Sequence, residues 1–324
     1  MKRAIVTGAG GFIGNDLVGF LRERGYWVRG VDLKMPEWNE SRADEFVLCD
    51  LRERSCAMQA LAGSQSCEVY HLAADMGGIG YIGTHSAQIL RNNMHIDLNV
   101  IDAVAEYGCQ RLFYSSSACV YPLHLQQDPG AVPLLREGQA WPAQPEDGYG
   151  LEKLVIERAL QYYHDARGLP VRIARFHNIY GANGTFEGGR EKVPAALCRK
   201  VASSKLLGCR SIEVWGDGNQ VRSFLHVDDC CDGIYRLTKS NVTDPVNLGT
   251  ENGVSINHLL ALVQSIAGTQ LDVLHVNGVV GVKARSCDPG KAQELLGWKP
   301  SVTLQRGIER TYKWVEEQVR EQLR

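Results

Sequence analysis

Tyr149 and Lys153 stand four residues apart, so on a helix they share one face. A phenol with an ordinary pKa of about 10 is a poor base near neutrality. A neighbouring ammonium would stabilise the phenolate. Tyr149 is then suited to take a proton from a substrate alcohol while hydride leaves the same carbon. Ser115-Ser116-Ser117 directly follows the apolar run Arg111-Leu112-Phe113-Tyr114. Ser117 therefore falls at the carboxyl edge of a strand, where α/β sheets bind ligands. Alone, a Y-x-x-x-K pair is more often a surface helix pair. A nucleotide loop changes that balance. Gly8, Gly11 and Gly14 form G-x-x-G-x-x-G around Phe12 and Ile13, between an apolar strand and a helix. Such a turn lets backbone approach a pyrophosphate and aims a helix N-terminus at it. Asp32 lies 18 residues after Gly14, at the end of the next strand. A carboxylate there accepts both ribose hydroxyls and repels a 2′-phosphate, which favours NAD over NADP. Asp50, after the third strand, is a further candidate on the adenine side.

These residues need a scaffold that brings strand ends to one edge. Lys2-Arg3-Ala4-Ile5-Val6-Thr7 reads as a buried strand, and a periodic helix covers about 12–24. Strands at 27–31, 45–48, 69–72, 111–114 and 171–174 alternate with helices, notably about 92–107 and 150–167. That alternation predicts an α/β fold: a Rossmann-type doubly wound parallel sheet. Beyond about 176 the pattern becomes irregular, which predicts a smaller C-terminal substrate-binding domain. The expected division is 1–176 plus about 223–248 for the NAD-binding domain. About 177–222 plus 249–324 are expected to form the smaller substrate-binding domain.

Composition removes several classes. The chain has 324 residues, 44% hydrophobic and 22% charged, as ordinary globular proteins do. With 35 basic and 37 acidic residues it lacks the basic excess of a general nucleic-acid binder, so no nucleic-acid partner is expected. No apolar run reaches the roughly 18–20 residues of a membrane span. The apolar stretch after Lys2-Arg3 breaks at Thr7-Gly8, short of a secretory core of about 7–15 residues. A cytoplasmic protein is expected, without a membrane partner. Ten cysteines contain no C-x-x-C pair and no zinc-finger spacing with histidine, so no metal is expected.

Taken together, the features resemble the extended short-chain dehydrogenase/reductase family, whose members mostly act on nucleotide sugars. The resemblance covers nearly the whole chain and includes His71-Leu72-Ala73-Ala74, Asn92-Asn93, Trp215-Gly216-Asp217-Gly218 and Leu295-Leu296-Gly297-Trp298-Lys299-Pro300. Five further stretches resemble the members that invert C3 and C5 of GDP-mannose: 74–80, 117–122, 141–143, 175–181 and 188–196. The resemblance implies GDP-mannose as substrate, GDP-L-galactose and GDP-L-gulose as products, and a resident NAD. Oxidation at C4 acidifies the C–H bonds at C3 and C5. Two proton carriers beyond Tyr149 are then required, and by resemblance these are Cys119 and Lys192. A thiol of ordinary pKa, about 8.5, needs a nearby cation to act as base near neutrality; Lys192 is expected to supply it. By resemblance, Arg222 and Arg285 bind the diphosphate, where a planar fork suits phosphate oxygens. Asn178, Lys200, Gln220, Glu191 and Ala118 are expected substrate contacts, and Gly77 leaves room for the sugar. A homodimer is expected through helices 92–107 and 150–167. Three alternatives stay open on sequence. One is a GDP-4-keto-6-deoxymannose epimerase-reductase, or another nucleotide-sugar epimerase or dehydratase of the family; Asp32 argues against an NADPH-consuming reductase. The second is an epimerase that stops after C5. The third is a redox-inactive dinucleotide-sensing protein, which retention of both Tyr149 and Lys153 argues against.

Overall fold

The computed structural model describes residues 1–128, 130 and 132–324. Seven parallel strands form the main sheet, in the order Val246–Leu248, Val171–Phe176, Arg111–Ser117, Glu68–His71, Lys2–Thr7, Tyr26–Asp32 and Glu45–Leu48. The order reverses direction at Lys2–Thr7, which is the switch point of a doubly wound sheet. Side chains alternate between the faces. Ala4 and Val6 enter one core with Leu17, Val18 and Leu21 of the helix Phe12–Glu23. Ile5 enters the other, with Val100 and Val104 of the helix Ser86–Tyr107 and Ile156 and Leu160 of the helix Gly148–Arg167. Burying each such aliphatic side chain stabilises by about 1.5–3 kcal/mol. The helix expected at about 92 begins at Ser86, because Ile89 is already fully buried and extends the apolar stripe toward the N-terminus.

A third core joins the helices Val193–Leu207, Ile256–Ala267 and Leu304–Gln322. Beside it lies a small sheet ordered Gly253–Ser255, Val221–Ser223, Ala284–Cys287, Leu134–Leu135. The two halves exchange segments in both directions, more often than the single return expected at 223–248. Leu134–Leu135 leaves the first half to pair with Ala284–Cys287. Trp298 comes back to the first core, where its Nε1 donates to the Asp229 carbonyl at 3.1 Å. The reason is burial: a fully enclosed indole needs both apolar neighbours and an acceptor for its N–H.

Candidate active site

The carboxyl ends of the central strands open into a cleft of about 840 Å³, within the range of small-molecule sites. Every site residue expected from the sequence lines this cleft except Lys153.

At one end, the Gly8 N–H donates to the Val31 carbonyl at 2.9 Å and the Gly11 N–H to the Gly8 carbonyl at 3.1 Å. Gly11 precedes the helix Phe12–Glu23 in extended conformation with no side-chain cap, so first-turn N–H groups remain available to an anion. A Cβ at Gly14 would lie 2.0 Å from the Gly8 carbonyl oxygen, so only glycine lets helix and turn meet this closely. Phe12 packs over Gly181 and Gly184, and Ile13 lines the cleft behind it. The Asp32 carboxylate accepts from the Gly10 N–H at 2.9 Å. Burial raises its pKa, with the Gly10 hydrogen bond working against that. A glycine cradle that any Cβ would fill, beside an anchored carboxylate, fits a dinucleotide such as NAD. Asp50 reaches the same end, but its carboxylate is taken by Arg52 at 2.7–3.1 Å, which holds its pKa down. It contributes a neutralised pair there rather than a free acceptor.

The middle of the cleft is built on the turn after Arg111–Ser117. Ser117 Oγ accepts from the Cys119 N–H at 3.2 Å and closes the short turn Ala118–Val120. Ala118 and Cys119 therefore face the helix Gly148–Arg167, which Asp147 caps by accepting from the Gly150 N–H. Tyr149 is buried in this first turn, with Cys119 packed alongside. Burial raises its pKa well above 10, Cys119 and Glu152 add to that, and Ser117 opposes it. The expected Lys153–phenol contact is not made. Lys153 Nζ donates to the Tyr114 hydroxyl at 3.0 Å and lies 3.7 Å from both Asp97 and Glu152. It sits 5.9 Å from the centre of the Tyr149 ring. Helical spacing aligns the two stems, but the buried ammonium turns to the Tyr114 hydroxyl and the carboxylates behind it. Burial alone would raise Asp97; Lys153 and a hydrogen bond from His71 outweigh it and keep Asp97 ionised. Burial raises the Glu152 pKa well above the usual carboxylate range, with the Asp97 charge adding to it and Lys153 opposing. Lys153→Ala would leave the buried Asp97 carboxylate without its ammonium, holding only His71 and the Tyr114 hydroxyl, and is expected to cost about 3–5 kcal/mol of folding stability. Denaturant unfolding reads this directly; a loss below about 1 kcal/mol, the range of an exposed pair, would refute the buried-charge account.

A second difference concerns the cation beside the thiol. Arg285 Nη1 lies 3.4 Å from Cys119 Sγ, so the contact expected from Lys192 is made by an arginine assigned to phosphate. Lys192 immediately precedes the helix Val193–Leu207, makes no side-chain cap there, and faces the same cleft. Burial pulls its pKa below the ordinary lysine range, while charge on Cys119 acts the other way. Arg285 also pairs in register with Arg222 on the adjacent strand. Its Nη2 is buried without a partner. Burial, then the Arg285 charge, lower the Arg222 pKa to about 10. Two facing guanidiniums with an unused donor call for an anion.

Around this pair, Asn178 adopts φ +46° and donates to the Ser223 carbonyl at 2.8 Å. Lys200 donates to the Glu213 carbonyl at 2.8 Å, and Gln220 leaves Oε1 buried and unpaired. Glu191 accepts from Arg199 at 3.4 Å. Gly77 lines the cleft, but a Cβ there would first meet Tyr81 at 3.0 Å, so the space it leaves is filled by that ring. Asp75, Tyr81, Glu146, Arg190 and Trp215 also line the cleft and were not singled out as functional from the sequence. For Asp75, Arg190 and Trp215 the signal was present, since they lie inside the quoted stretches 74–80, 188–196 and 215–218. Among the described residues, no group of three or more His, Cys, Asp or Glu is placed to hold a metal ion.

A doubly wound sheet with a glycine cradle, an acidic ribose-side residue and a Ser–Tyr pair at the strand ends defines a nucleotide-dependent enzyme of the dehydrogenase/epimerase class. The chain belongs to the NAD dependent epimerase/dehydratase family, whose sequence model matches residues 4–249. It is 43% identical to the GDP-mannose 3,5-epimerase of Arabidopsis thaliana over 97% of this chain and 82% of that one. Identity to the GDP-L-fucose synthase 1 of the same plant is 28%, over 96% and 92% of the two chains. Among solved structures, the UDP-glucose 4-epimerase of Thermus thermophilus in complex with NAD superposes with a TM-score of 0.85 at 25% identity, covering 97% of this chain and 98% of that one.

Proposed function

We propose that the protein epimerises GDP-mannose at C5 and C3, giving GDP-L-galactose and GDP-L-gulose. The observation that carries this reading is the meeting of Tyr149, Cys119 and Lys192 in one cleft beside the Arg222–Arg285 pair. A plain dehydrogenase needs the first of these groups; inversion needs the other two. Gly8, Gly11, Phe12, Ile13, Gly14 and Asp32 would hold NAD. When bound, NAD accepts hydride from C4 and returns it, so no net redox change occurs. Tyr149 Oη takes the C4 hydroxyl proton and gives it back. Cys119 Sγ removes a proton from the carbon next to the ketone. Lys192 Nζ delivers one to the opposite face, and its lowered pKa suits an acid that must also lose its proton near neutrality. Arg222 and Arg285 would take the diphosphate, with Asn178, Lys200, Gln220, Glu191 and Ala118 completing the walls. We assign nucleotide-sugar binding to the half of the chain built on the core of 193–207, 256–267 and 304–322.

The test is incubation with GDP-mannose in deuterated water, read by NMR. Deuterium at C3 and C5 without consumption of added cofactor is expected, and denatured enzyme should release NAD(H). Exchange at C5 alone would leave GDP-L-gulose as the sole product. Net NADPH consumption, or NADP(H) as the retained species, would favour the reductase reading and refute the Asp32 argument.

We further propose a homodimer through the helices Ser86–Tyr107 and Gly148–Arg167. They pack side by side and expose Leu98, Leu151, Val155 and Tyr162. Sedimentation at the mass of one chain would exclude it. No helix among the described residues is long and apolar enough to cross a membrane. All ten cysteines are unpaired, which suits a reducing compartment, and we place the protein in the cytoplasm. Recovery in an exported fraction would contradict that.

A further inference from the structure

We propose that Arg190 is a positioning residue for Lys192, acting through a clasp with Asp75 and Tyr81 that fastens the loop over the cleft to the edge of the parallel sheet. The proposal rests on the proton-carrier role given to Lys192 above. Two glycine-rich stretches, 74–80 and 188–192, are far apart in sequence and meet here. The Gly78 N–H donates to the Arg190 carbonyl at 2.9 Å. A Cβ at Gly78 would lie 2.3 Å from the Glu191 carbonyl oxygen, so the two backbones touch without intervening side chains. The Arg190 guanidinium lies 3.8 Å from the centre of the Tyr81 ring. It donates to the Tyr81 hydroxyl at 2.5 Å and to Asp75 Oδ1 at 3.2 Å.

Asp75 is itself held from behind. It accepts from the Tyr81 hydroxyl at 3.0 Å and from Asn92 Nδ2 at 2.8 Å, and its N–H donates to Asn93 Oδ1 at 2.6 Å. Asn93 in turn donates to Glu152 Oε2 at 3.2 Å, and Glu152 shares Tyr114 with Lys153. One continuous set of contacts therefore runs from the buried Lys153 cluster to the loop that carries Lys192.

That loop needs a fastening. Gly188 and Gly189 have φ of +84° and +83°, and a Cβ at either would meet nothing within 4 Å. Two successive glycines in open space make a loose hinge. Lys192 stands at the N-terminal end of the helix Val193–Leu207 with no side-chain cap hydrogen bond, so its place over the cleft follows from its backbone. Arg190 is 49% exposed, and its ion pair with Asp75 adds little to stability. Its effect lies in geometry, because a displacement of about 1 Å at a reacting group can cost on the order of 10²-fold in rate.

The experiment compares Arg190→Ala, Arg190→Lys and Tyr81→Phe with Lys192→Ala in the full chain with its retained cofactor. Deuterium uptake at C3 and C5 of GDP-mannose reports proton exchange, and the NADH absorbance transient on substrate addition reports C4 oxidation. In Arg190→Ala, uptake should fall about 10- to 10²-fold while KM stays within about threefold and the transient persists. Arg190→Lys keeps the charge for Asp75 but not the fork, and should recover part of the loss. Tyr81→Phe keeps the ring under the guanidinium and should lose least. Uptake in Arg190→Ala within about twofold of the parent, beside an inactive Lys192→Ala, overturns the clasp alone. Equal loss of uptake and transient in all three clasp variants also overturns it, because the residues would then hold the cleft in general. Parent-like uptake in Lys192→Ala overturns the role of Lys192 and the clasp with it.

Discussion

Tyr149→Phe is expected to abolish C4 oxidation and epimerisation together, by about 10²- to 10⁴-fold, the usual worth of a positioned acid–base group. Both steps pass through the ketone, and the ketone cannot form unless the C4 hydroxyl proton has somewhere to go. The fold should tolerate the change. The Cys119 N–H still donates to Ser117 Oγ when the phenol is gone, so the turn that faces Tyr149 is kept. Lys153 keeps Tyr114, Asp97 and Glu152, none of which depends on the Tyr149 oxygen. Tyr149→Phe is therefore a cleaner probe than any substitution of Lys153, where lost stability would mix with lost chemistry. The measurement is turnover by NMR together with the NADH transient and the dissociation constant for GDP-mannose. Near-parent turnover would remove Tyr149 from the reaction. Loss of binding in proportion to turnover would make it a contact residue instead.

What the sequence makes legible here is local. Alternating apolar runs locate the strands because each strand core must be buried on both faces of a parallel sheet. Glycine spacing locates the cradle because the close approach of Gly14 to Gly8 spans only six positions. Spacing of four residues aligns Tyr149 with Lys153, but it does not say where an ammonium will go. That is decided by Asp97 and Tyr114, on two other elements. Arg285 reaches Cys119 across 166 positions, and Arg190 reaches Asp75 across 115. Such contacts depend on how the two halves of the chain close on each other, and no local period encodes that. The quoted stretches 74–80 and 188–196 contained the right residues; their partnership becomes visible only when the backbones meet.

Cys119→Ala is expected to separate redox chemistry from inversion. Tyr149, Ser117 and the glycine cradle are untouched, so the NADH transient on adding GDP-mannose should persist. Proton removal next to the ketone should fall by about 10²- to 10⁴-fold, seen as lost deuterium at C3 and C5. One complication follows from the geometry, since Arg285 Nη1 contacts the sulfur and its Nη2 is already unpaired. Removing Sγ frees the guanidinium to shift, which would show as altered KM. Cys119→Ser controls for this: a hydroxyl still accepts from Arg285 but is a far weaker acid than a thiol. If Cys119 is the base, Ser should restore KM without restoring deuterium uptake. If Cys119 only steadies Arg285, Ser should restore both. Lys192→Ala should also keep the transient and lose inversion, because proton return fails on the opposite face. Parent-like deuterium uptake in both Cys119→Ala and Lys192→Ala would sink the two-carrier mechanism. Loss of the transient in Cys119→Ala with KM unchanged would instead move that residue into the oxidation step with Tyr149.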